Sequence, residues 1–294
     1  MIAFGTPVSE PDAYRRYAEQ GIRAVAEADS AVYAFSAVGT AARIGNLLLD
    51  AAAAHGDLEA LVLVHPHAEI ADARFCAKVR AALADTEVAV AGCAGAAGVR
   101  GLAWWEGRVH AGEVLHAYTQ NGGGVLPAYS WVDREPPPAE VDAVDGFLLV
   151  LSPWAVRNLR FDEDLWLGPG FDVDYCLRAR RAGRKVMAVD LRTILHRSLE
   201  PIEAPEVFTV AGVQLAEKWF AGGDVDWKAR ARRAEAEREA SKAVGYFRAV
   251  AAEERVDALE RALAEATSGP GWRLTAPLRR LNARRRARAR SRRS

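Results

Sequence analysis

The sequence predicts an α/β protein with a mostly parallel sheet flanked by helices, followed by a helical extension. Apolar runs of strand length alternate with helical patterns over the first hundred residues, which is typical of βαβ units. The run Ala60–Val64 (ALVLV) is apolar at every position, as in a strand covered on both faces. After residue 222 the composition shifts to Ala, Glu and Arg with few turn residues, which favours a long helix.

The first hundred residues contain four predicted strands and three predicted helices in alternation. The strands are Ile2–Pro7, Ala31–Phe35, Ala60–Val64 and Val88–Ala91, and the helices are Pro11–Ala28, Ala41–His55 and Asp72–Ala84. The Gly/Ala-rich segment 92–98 is interpreted as a turn. Ligands bind outside the carboxyl ends of parallel strands, so Thr6, Pro7 and the segment His65-Pro66-His67 are candidates for a ligand site.

The second half is less regular. Residues 99–140, with Trp104 and Trp105, are interpreted as strands and a loop over the site, or as an insertion without such a role. The elements predicted after them are strand 146–151, helix Pro153–Asn158, helix 171–182 and strand 186–189. The predicted division is a globular domain over 1–222, a long helix over 223–268 and a basic tail over 269–294. An apolar stripe over 244–263 packs on its own domain or on a second copy.

Composition limits the classes of protein. Half of the 294 residues are apolar and 27% are charged, and no apolar run approaches the ~20 residues of a bilayer span. The first residues do not resemble a signal peptide, so we expect a cytoplasmic protein. Cys76, Cys93 and Cys176 lack CxxC spacing and are expected to be reduced core thiols.

The tail differs electrostatically from the rest of the chain. Residues 273–294 contain ten arginines and no acid, although the whole chain has a formal net charge of zero. Such a segment binds anionic lipid headgroups, binds nucleic acid or remains solvated. Because no aromatic residues are interleaved with the last arginines and no recognition fold is evident, we favour the inner membrane surface over nucleic acid as its partner.

Several side chains suited to catalysis or ligand binding lie near predicted strand ends. Asp145 precedes Gly146, and Asp172 and Asp174 form a pair that lies either on an extended segment or in the first turn of a helix, where acids complement the helix dipole. His65 and His67 form an HxH pair that could hold a metal or a phosphate, and His196 is a structural histidine or a ligand. G-x-S-x-G, Walker A and G-x-G-x-x-G patterns are absent from the sequence.

Taken together, the motifs of residues 1–200 resemble glycosyltransferase family 2, which has a GT-A (Rossmann-like) fold, and in particular its glycosyltransferase-like branch of bacterial polysaccharide synthesis. The matching segments, in order, are LVLVHPH (61–67), VAVAGCAG (88–95), Trp104-Trp105, VDAVDGFLLVLS (141–152), FDEDLWLGPGFDVDYCLRARRAGRKVMAV (161–189) and His196-x-Ser198. The segment SGPGWRLTAPLRRL (268–281) also resembles one that follows bacterial sugar transferases.

The resemblance implies transfer of a sugar from a nucleotide-sugar donor to a glycan or lipid-linked acceptor, with inversion. It implies that donor contacts come from Thr6, Pro7, Arg43, Asn46 and His65. It places sugar or acceptor contacts at Asp145, Gly146, Trp104 and Trp105, and a metal at His67 and His196. Asp174, or alternatively Asp172, is the implied base.

His67 departs from the family pattern, since an aspartate is expected at its position. Histidine binds Mn²⁺ more readily than Mg²⁺, so a manganese site is the first expectation. The alternatives are that cationic side chains neutralise the diphosphate, or that the domain binds sugar nucleotides or glycans without catalysis.

Overall fold

The computed structural model describes residues 1–36, 40–119, 123–130, 132–165, 169–197, 205–220, 256, 259–265 and 267. The chain divides into two compact units, Met1–Gly222 and Gly223–Ser294. In the second unit, residues 259–265 are helical, and the rest of the predicted extension and tail lies almost entirely outside the described residues. Among the helices of the described part, none is both long and apolar enough to cross a membrane.

The described elements of the first unit alternate between strands and helices up to residue 92. The strands are β1 (Ile2–Pro7), β2 (Val32–Phe35), β3 (Ala60–Val64), β4 (Ala68–Ile70), β5 (Val88–Gly92), β6 (Ala94–Ala97), β7 (Arg108–Ala111), β8 (Val114–Tyr118), β9 (Gly124–Pro127), β10 (Arg134–Glu135), β11 (Ala139–Val141), β12 (Ala143–Val144), β13 (Leu148–Leu151), β14 (Lys185–Ala188) and β15 (Thr193–His196). The helices are α1 (Pro11–Ala13), α2 (Glu19–Val25), α3 (Ala41–Ala53), α4 (Phe75–Ala82), α5 (Pro153–Asn158), α6 (Phe171–Arg181) and α7 (Pro205–Trp219), with a π-helical turn at Tyr14–Ala18.

The predicted α/β class with a mostly parallel sheet flanked by helices is confirmed. Seven described strands form the main sheet in the order β11-β14-β5-β13-β3-β1-β2. Strands β2, β1, β3, β5 and β14 run in one direction, whereas β13 is antiparallel to both of its neighbours and β11 is antiparallel to β14. The sheet therefore has one reversed strand near its centre.

Neighbouring residues of a strand point to opposite faces of the sheet, and helices cover both faces. Phe4 contacts Phe75 of α4, with ring centroids 6.2 Å apart. A Cβ on the next residue, Gly5, would lie 3.1 Å from Leu48 of α3. All five residues of β3 are buried, which confirms that this strand is covered on both faces.

The reversed strand β13 explains how an Asp-Gly pair reaches the ligand-binding edge. Its first residue, Leu148, pairs with Val64 at the carboxyl end of β3. The backbone N–H of His65 donates to the carbonyl of Phe147 at 2.9 Å. Residues 145–147, which precede β13, therefore lie beside the segment that follows β3.

The segment 92–98 was predicted as a turn, and this was wrong. Residues 94–97 form β6, which pairs with β7 and β12 in a second sheet of order β10-β7-β6-β12. A Cβ on Gly95 would lie 2.4 Å from the carbonyl oxygen of Ala143, so the close pairing requires glycine there. Small residues, which suggested a turn in the sequence, instead allow close strand packing.

The helix over 171–182 is confirmed, and it begins at a special backbone position. Gly170 caps α6 with φ of 89°, in the left-handed region that favours glycine. A Cβ there would also lie 2.8 Å from the side chain of Leu102. Asp172 and Asp174 are consequently in the first helical turn and not on an extended segment.

Candidate functional site

Three chain segments meet at the carboxyl edge of the main sheet. The residue that ends β1, Pro7, lines a cavity of about 30 Å³ together with His65 and Gly146. His65 follows β3, and Gly146 lies in the turn before β13. Three of the predicted site residues therefore lie together at the edge where ligands bind in sheets of this type.

His67 and His196 are held side by side by two short strands. Residue 68 of β4 pairs with Leu195 of β15, and the backbone N–H of His196 donates to the carbonyl of His67 at 2.9 Å. The ring of Tyr17, in the π-helical turn, stacks on His196 with centroids 3.9 Å apart. The structure thus brings the two predicted metal ligands together.

The ring nitrogens of His67 are both occupied. Nδ1 donates to the backbone carbonyl of His196 at 2.5 Å, and Nε2 lies 2.9 Å from Oε1 of Glu10. A backbone carbonyl can only accept, so the ring proton lies on Nδ1, and Nε2 faces the carboxylate of Glu10 and not an open cation position. As placed, His67 does not fit the role of metal ligand.

His196 is closer to what a metal ligand requires, but it stands alone. Its Nε2 lies 2.6 Å from Oε2 of Glu69, a contact that orients the ring and leaves Nδ1 for another partner. Within the described part of the chain, however, no group of three or more His, Cys, Asp or Glu side chains is arranged to hold a metal ion. The donor set therefore does not fit the predicted cation site formed by His67 and His196.

His65 is a neutral histidine. Burial, and then the electrostatic influence of His67 and Arg197, lower its pKa to about 4. Its Nδ1 accepts the backbone N–H of His67 at 3.2 Å, so the ring proton lies on Nε2. His65 can donate one hydrogen bond from that nitrogen, which suits contact with an oxygen of a ligand.

Asp145 and Asp172 form a carboxylate pair around Gly146. Oδ2 of Asp172 accepts the N–H of Gly146 at 2.7 Å, and Oδ1 of Asp145 accepts the N–H of Phe147 at 3.1 Å. A Cβ on Gly146 would lie 2.9 Å from Oδ2 of Asp172, so the approach requires glycine. Burial, and then the negative charge of Asp145, raise the pKa of Asp172 to about 7.

Asp174 occupies a different environment. Its side chain is fully buried, and it accepts hydrogen bonds from Arg178 Nε at 2.8 Å and from Trp219 Nε1 at 2.7 Å. Lys218 adds an ion pair at 2.5 Å. Asp172, by contrast, keeps part of its surface exposed. The preference for Asp174 as the base is therefore not supported, because its oxygens are held by cations and closed to a substrate.

Two predicted nucleotide contacts, Thr6 and Asn46, are not open to a ligand. Thr6 is fully buried, and its hydroxyl has no hydrogen-bond partner among the described residues. Asn46 bonds the backbone N–H and carbonyl of Phe161, at 2.9 and 3.1 Å, and Oε1 of Glu163 at 3.0 Å. Asn46 therefore holds the loop after α5 in place, whereas Arg43 is exposed on the first turn of α3.

The two tryptophans do not form an exposed aromatic patch. Trp104 is 2% exposed and contacts the ring of Tyr129 edge to face, with centroids 5.2 Å apart. Trp105 is partly exposed and lies near Phe208 of α7. Trp104 therefore supports Tyr129 from the core and is not placed to contact an acceptor directly.

Tyr129 and Arg197 lie near the site but could not be identified from the sequence. The hydroxyl of Tyr129 donates to Oδ2 of Asp145 at 2.7 Å, and burial followed by the charge of Asp145 raises its pKa well above the usual value, so it remains a donor. Its backbone has φ of 57°, rare for a residue with a side chain. Tyr129 lies in an irregular segment without a motif, and Arg197 is the unspecified middle residue of His196-x-Ser198.

The fold and site define an α/β protein with a carboxylate pair and histidines at the carboxyl edge of its main sheet. No protein-family model matches the chain. Streptomycin biosynthesis protein StrF of Streptomyces griseus is 29% identical over 206 residues, which cover 67% of each chain.

Three solved structures are similar at low identity. The mannosyltransferase PcManGT from Pyrobaculum calidifontis, in complex with GDP-Man and Mn²⁺, has a TM-score of 0.46 at 14% identity, over 93% of this chain and 82% of that one. GalNAc-T7 with UDP, GalNAc and Mn²⁺ has a TM-score of 0.49 at 10% identity, over 75% of this chain and about half (48%) of its own. A197 from STIV has a TM-score of 0.40 at 13% identity, over 65% of this chain and 82% of its own.

Proposed function

We propose that the protein is a GT-A-type glycosyltransferase. It transfers a sugar, with inversion, from a nucleotide-sugar donor to a hydroxyl of a glycan or lipid-linked acceptor in cell-surface polysaccharide synthesis. The observation that carries the proposal is the Asp145/Asp172 pair beside His65 and Pro7, at the edge where α/β sheets bind ligands. The similarity to a streptomycin biosynthesis protein supports a biosynthetic role.

Asp172 is the proposed general base. A base works best when its pKa lies near the operating pH, and the pKa of Asp172 is raised to about 7 by burial and by Asp145. The ionised carboxylate takes the proton of the acceptor hydroxyl as that oxygen forms a bond to the anomeric carbon. The bond from the anomeric carbon to the diphosphate breaks on the opposite side, and the electron pair leaves with the diphosphate.

Other residues of the cluster hold the reacting groups. Tyr129 fixes Asp145 through its 2.7 Å hydrogen bond, which keeps the neighbouring negative charge in place. His65 donates from Nε2 to a donor oxygen, and Pro7 and Arg43 lie on the nucleotide side. The structures of GalNAc-T7 and PcManGT contain Mn²⁺, but the nitrogens of His67 are occupied, so no step here is assigned to a metal.

The test is release of nucleoside diphosphate from a panel of UDP, GDP and dTDP sugars, with and without candidate acceptors. We expect one donor class to be turned over by the wild-type protein. Asp172→Asn should lower turnover by roughly 10²- to 10⁴-fold while the folded protein still binds the donor. Turnover that stays near the wild-type rate in this variant would exclude Asp172 as the base.

A non-catalytic sugar-nucleotide or glycan-binding domain is the second candidate. The observation that favours it is the occupied ring of His67 at the position where the resembled family has a metal-binding aspartate. Such a domain binds a member of the panel in calorimetry but releases no diphosphate with any acceptor. Binding with measurable release would exclude it.

The Arg-rich tail is proposed to bring the enzyme to the inner face of the membrane. Ten arginines over residues 273–294 would each contribute about 1 kcal/mol near an anionic surface. We expect salt-sensitive binding to anionic vesicles that is lost when these residues are removed. Absence of binding at low salt would contradict the proposal.

Self-association through the second unit is a further part of the proposal. Val256, Leu259 and Leu263 belong to the predicted apolar stripe, and each is more than half exposed. A homodimer joined by this stripe would show twice the monomer mass in solution. Replacing Leu259 and Leu263 by glutamate should return it to the monomer.

A further inference from the structure

Both histidines of the predicted cation site already face a carboxylate of the protein. Nε2 of His67 faces Glu10, and Nε2 of His196 faces Glu69, so each imidazole is matched with a carboxylate. A diphosphate leaving group brings at least two negative charges into this region and needs positive charge to stabilise its departure. The two imidazoles already face carboxylates, so they are poorly placed to provide it.

Arg197 differs from these histidines in its charge partners. Among the residues that the structure describes, no carboxylate forms an ion pair with it, whereas Arg192, which precedes β15, is paired with Glu113 at 3.2 Å. The Arg197 side chain is exposed. An arginine remains charged at every physiological pH, so this position carries a fixed positive charge.

The backbone of Arg197 is held in place at the site. It directly follows β15, whose last residue, His196, lies beside Ala117 of β8. The carbonyl of Arg197 accepts a hydrogen bond from Nε2 of His116 at 2.8 Å. The carbonyl of the preceding residue accepts the bond from His67. Arg197 therefore extends from an anchored strand end beside the histidine pair.

The charge of Arg197 also acts on the carboxylate side of the site. It opposes the burial and the Asp145 charge that raise the pKa of Tyr129. The hydroxyl of Tyr129 donates to Asp145, so the positive charge of Arg197 acts on a direct neighbour of the carboxylate pair.

We propose that Arg197 supplies the positive charge that neutralises the donor diphosphate, so that donor binding does not require a divalent cation. This inference rests on the proposed glycosyltransferase function and names the group that holds its leaving group. Guanidinium matches phosphate oxygens with two parallel N–H···O bonds, and it needs no ligand set of the kind that the described residues lack.

The experiment is calorimetric binding of UDP, GDP and dTDP to the full chain, in EDTA and in MnCl₂. We expect one of them to bind with a Kd that agrees within about twofold between the two conditions, since protein charges carry the contact. Arg197→Ala should weaken that binding by roughly 10- to 100-fold, as expected for loss of a charge-assisted bidentate contact. Arg197→Lys should recover part of the loss.

Arg192→Ala is the matched control, because it removes an exposed arginine at the other end of the same strand. It should bind like the wild-type protein, which separates a specific contact from a change in net charge. Binding that appears only with Mn²⁺, or an Arg197→Ala variant that binds like wild type, would overturn the inference and leave the proposed function standing. No binding of any of the three diphosphates under either condition would overturn both.

Discussion

The first turn of α6 contains two aspartates, Asp172 and Asp174, whose environments differ. Asp172 faces the turn at Gly146, where its oxygens accept backbone N–H groups and the nearest charge is the carboxylate of Asp145. Asp174, two residues later, faces α7, and its oxygens are surrounded by Arg178 of α6 and by Lys218 and Trp219 of α7. The residue type and the helix are the same, and the surroundings are opposite.

The difference separates a reactive carboxylate from a structural one. Among the described residues no cation forms an ion pair with Asp172, so burial and the charge of Asp145 make its ionised form costly, and its pKa rises to about 7. On the other side, Asp162 also contacts Arg178 and Lys218. Burial tends to raise the pKa of Asp162, but Lys218 and the other donors outweigh it and lower the pKa below its usual value. A carboxylate held by two cations stabilises the fold, whereas one without them can exchange a proton.

The sharpest test of this comparison replaces each aspartate by asparagine, since the two variants differ only in position. Asp172→Asn should lower kcat by roughly 10²- to 10⁴-fold, the usual contribution of a general base. Asp174→Asn should keep most of the turnover per folded molecule, because its oxygens face Arg178 and Lys218 and not the site. Steady-state kinetics at matched folded fractions measures both. A larger loss of kcat in the Asp174 variant would reverse the comparison.

The same two substitutions should affect stability in the opposite order, with the larger loss at Asp174. Asp174→Asn places an amide donor against the side-chain donors of Arg178, Lys218 and Trp219, so we expect unfolding free energy to fall by about 3 kcal/mol. Asp172→Asn should cost much less, because an amide oxygen can still accept one of the backbone N–H groups. Urea denaturation followed by circular dichroism gives both values. Equal losses would mean that the two environments are equivalent.

The pH dependence of stability tests the raised pKa of Asp172 directly. In the unfolded chain this carboxyl ionises near its ordinary pKa, while the folded protein keeps the proton until about pH 7. Its contribution is therefore fully present below the ordinary pKa and is lost as pH rises towards and through about 7. Between about pH 5 and 8 the wild type should lose on the order of 3 kcal/mol relative to Asp172→Asn.

The pH dependence of kcat should have the same midpoint as the pH dependence of stability, near pH 7. Since the base must be ionised, kcat should rise as pH increases through about 7 and level off above it. A pH–rate profile that is flat from about pH 6 to 8 under conditions where chemistry limits the rate would argue against Asp172 as the base.

The smallest expected effect is that of Tyr129→Phe. It removes the hydroxyl that donates to Asp145 but keeps the ring that contacts Trp104, so unfolding free energy should fall by about 1 kcal/mol. The midpoint of the pH–rate profile should also move, because the charge next to Asp172 is held less firmly. A Trp104→Phe variant is the control that perturbs the same aromatic contact without touching the carboxylates.

Part of the site could be predicted from sequence and part could not. His65, His67 and Pro7 follow strands with clear apolar patterns, and Pro7 and His65 line one cavity at the carboxyl edge of the sheet, where the strand-end rule predicts a ligand site. The roles of Asn46 and Trp104 were not readable, because their partners Phe161 and Tyr129 are distant in sequence. Tyr129 and Arg197 carried no local signal at all, since their importance comes from contacts made across the fold.

The amino-acid sequence by itself determined the order of strands and helices, the covered strand β3 and the arrival of histidines and aspartates at one edge of a sheet. These follow from hydrophobic periodicity and from the direction of parallel strands, which act over a few residues. Only the tertiary structure decided that Asp172 and Asp174 have opposite environments, that His67 is already bonded at both nitrogens, and that Arg197 is unpaired among the described residues. The physical reason is that charge pairing and burial depend on neighbours that the chain brings together from distant positions.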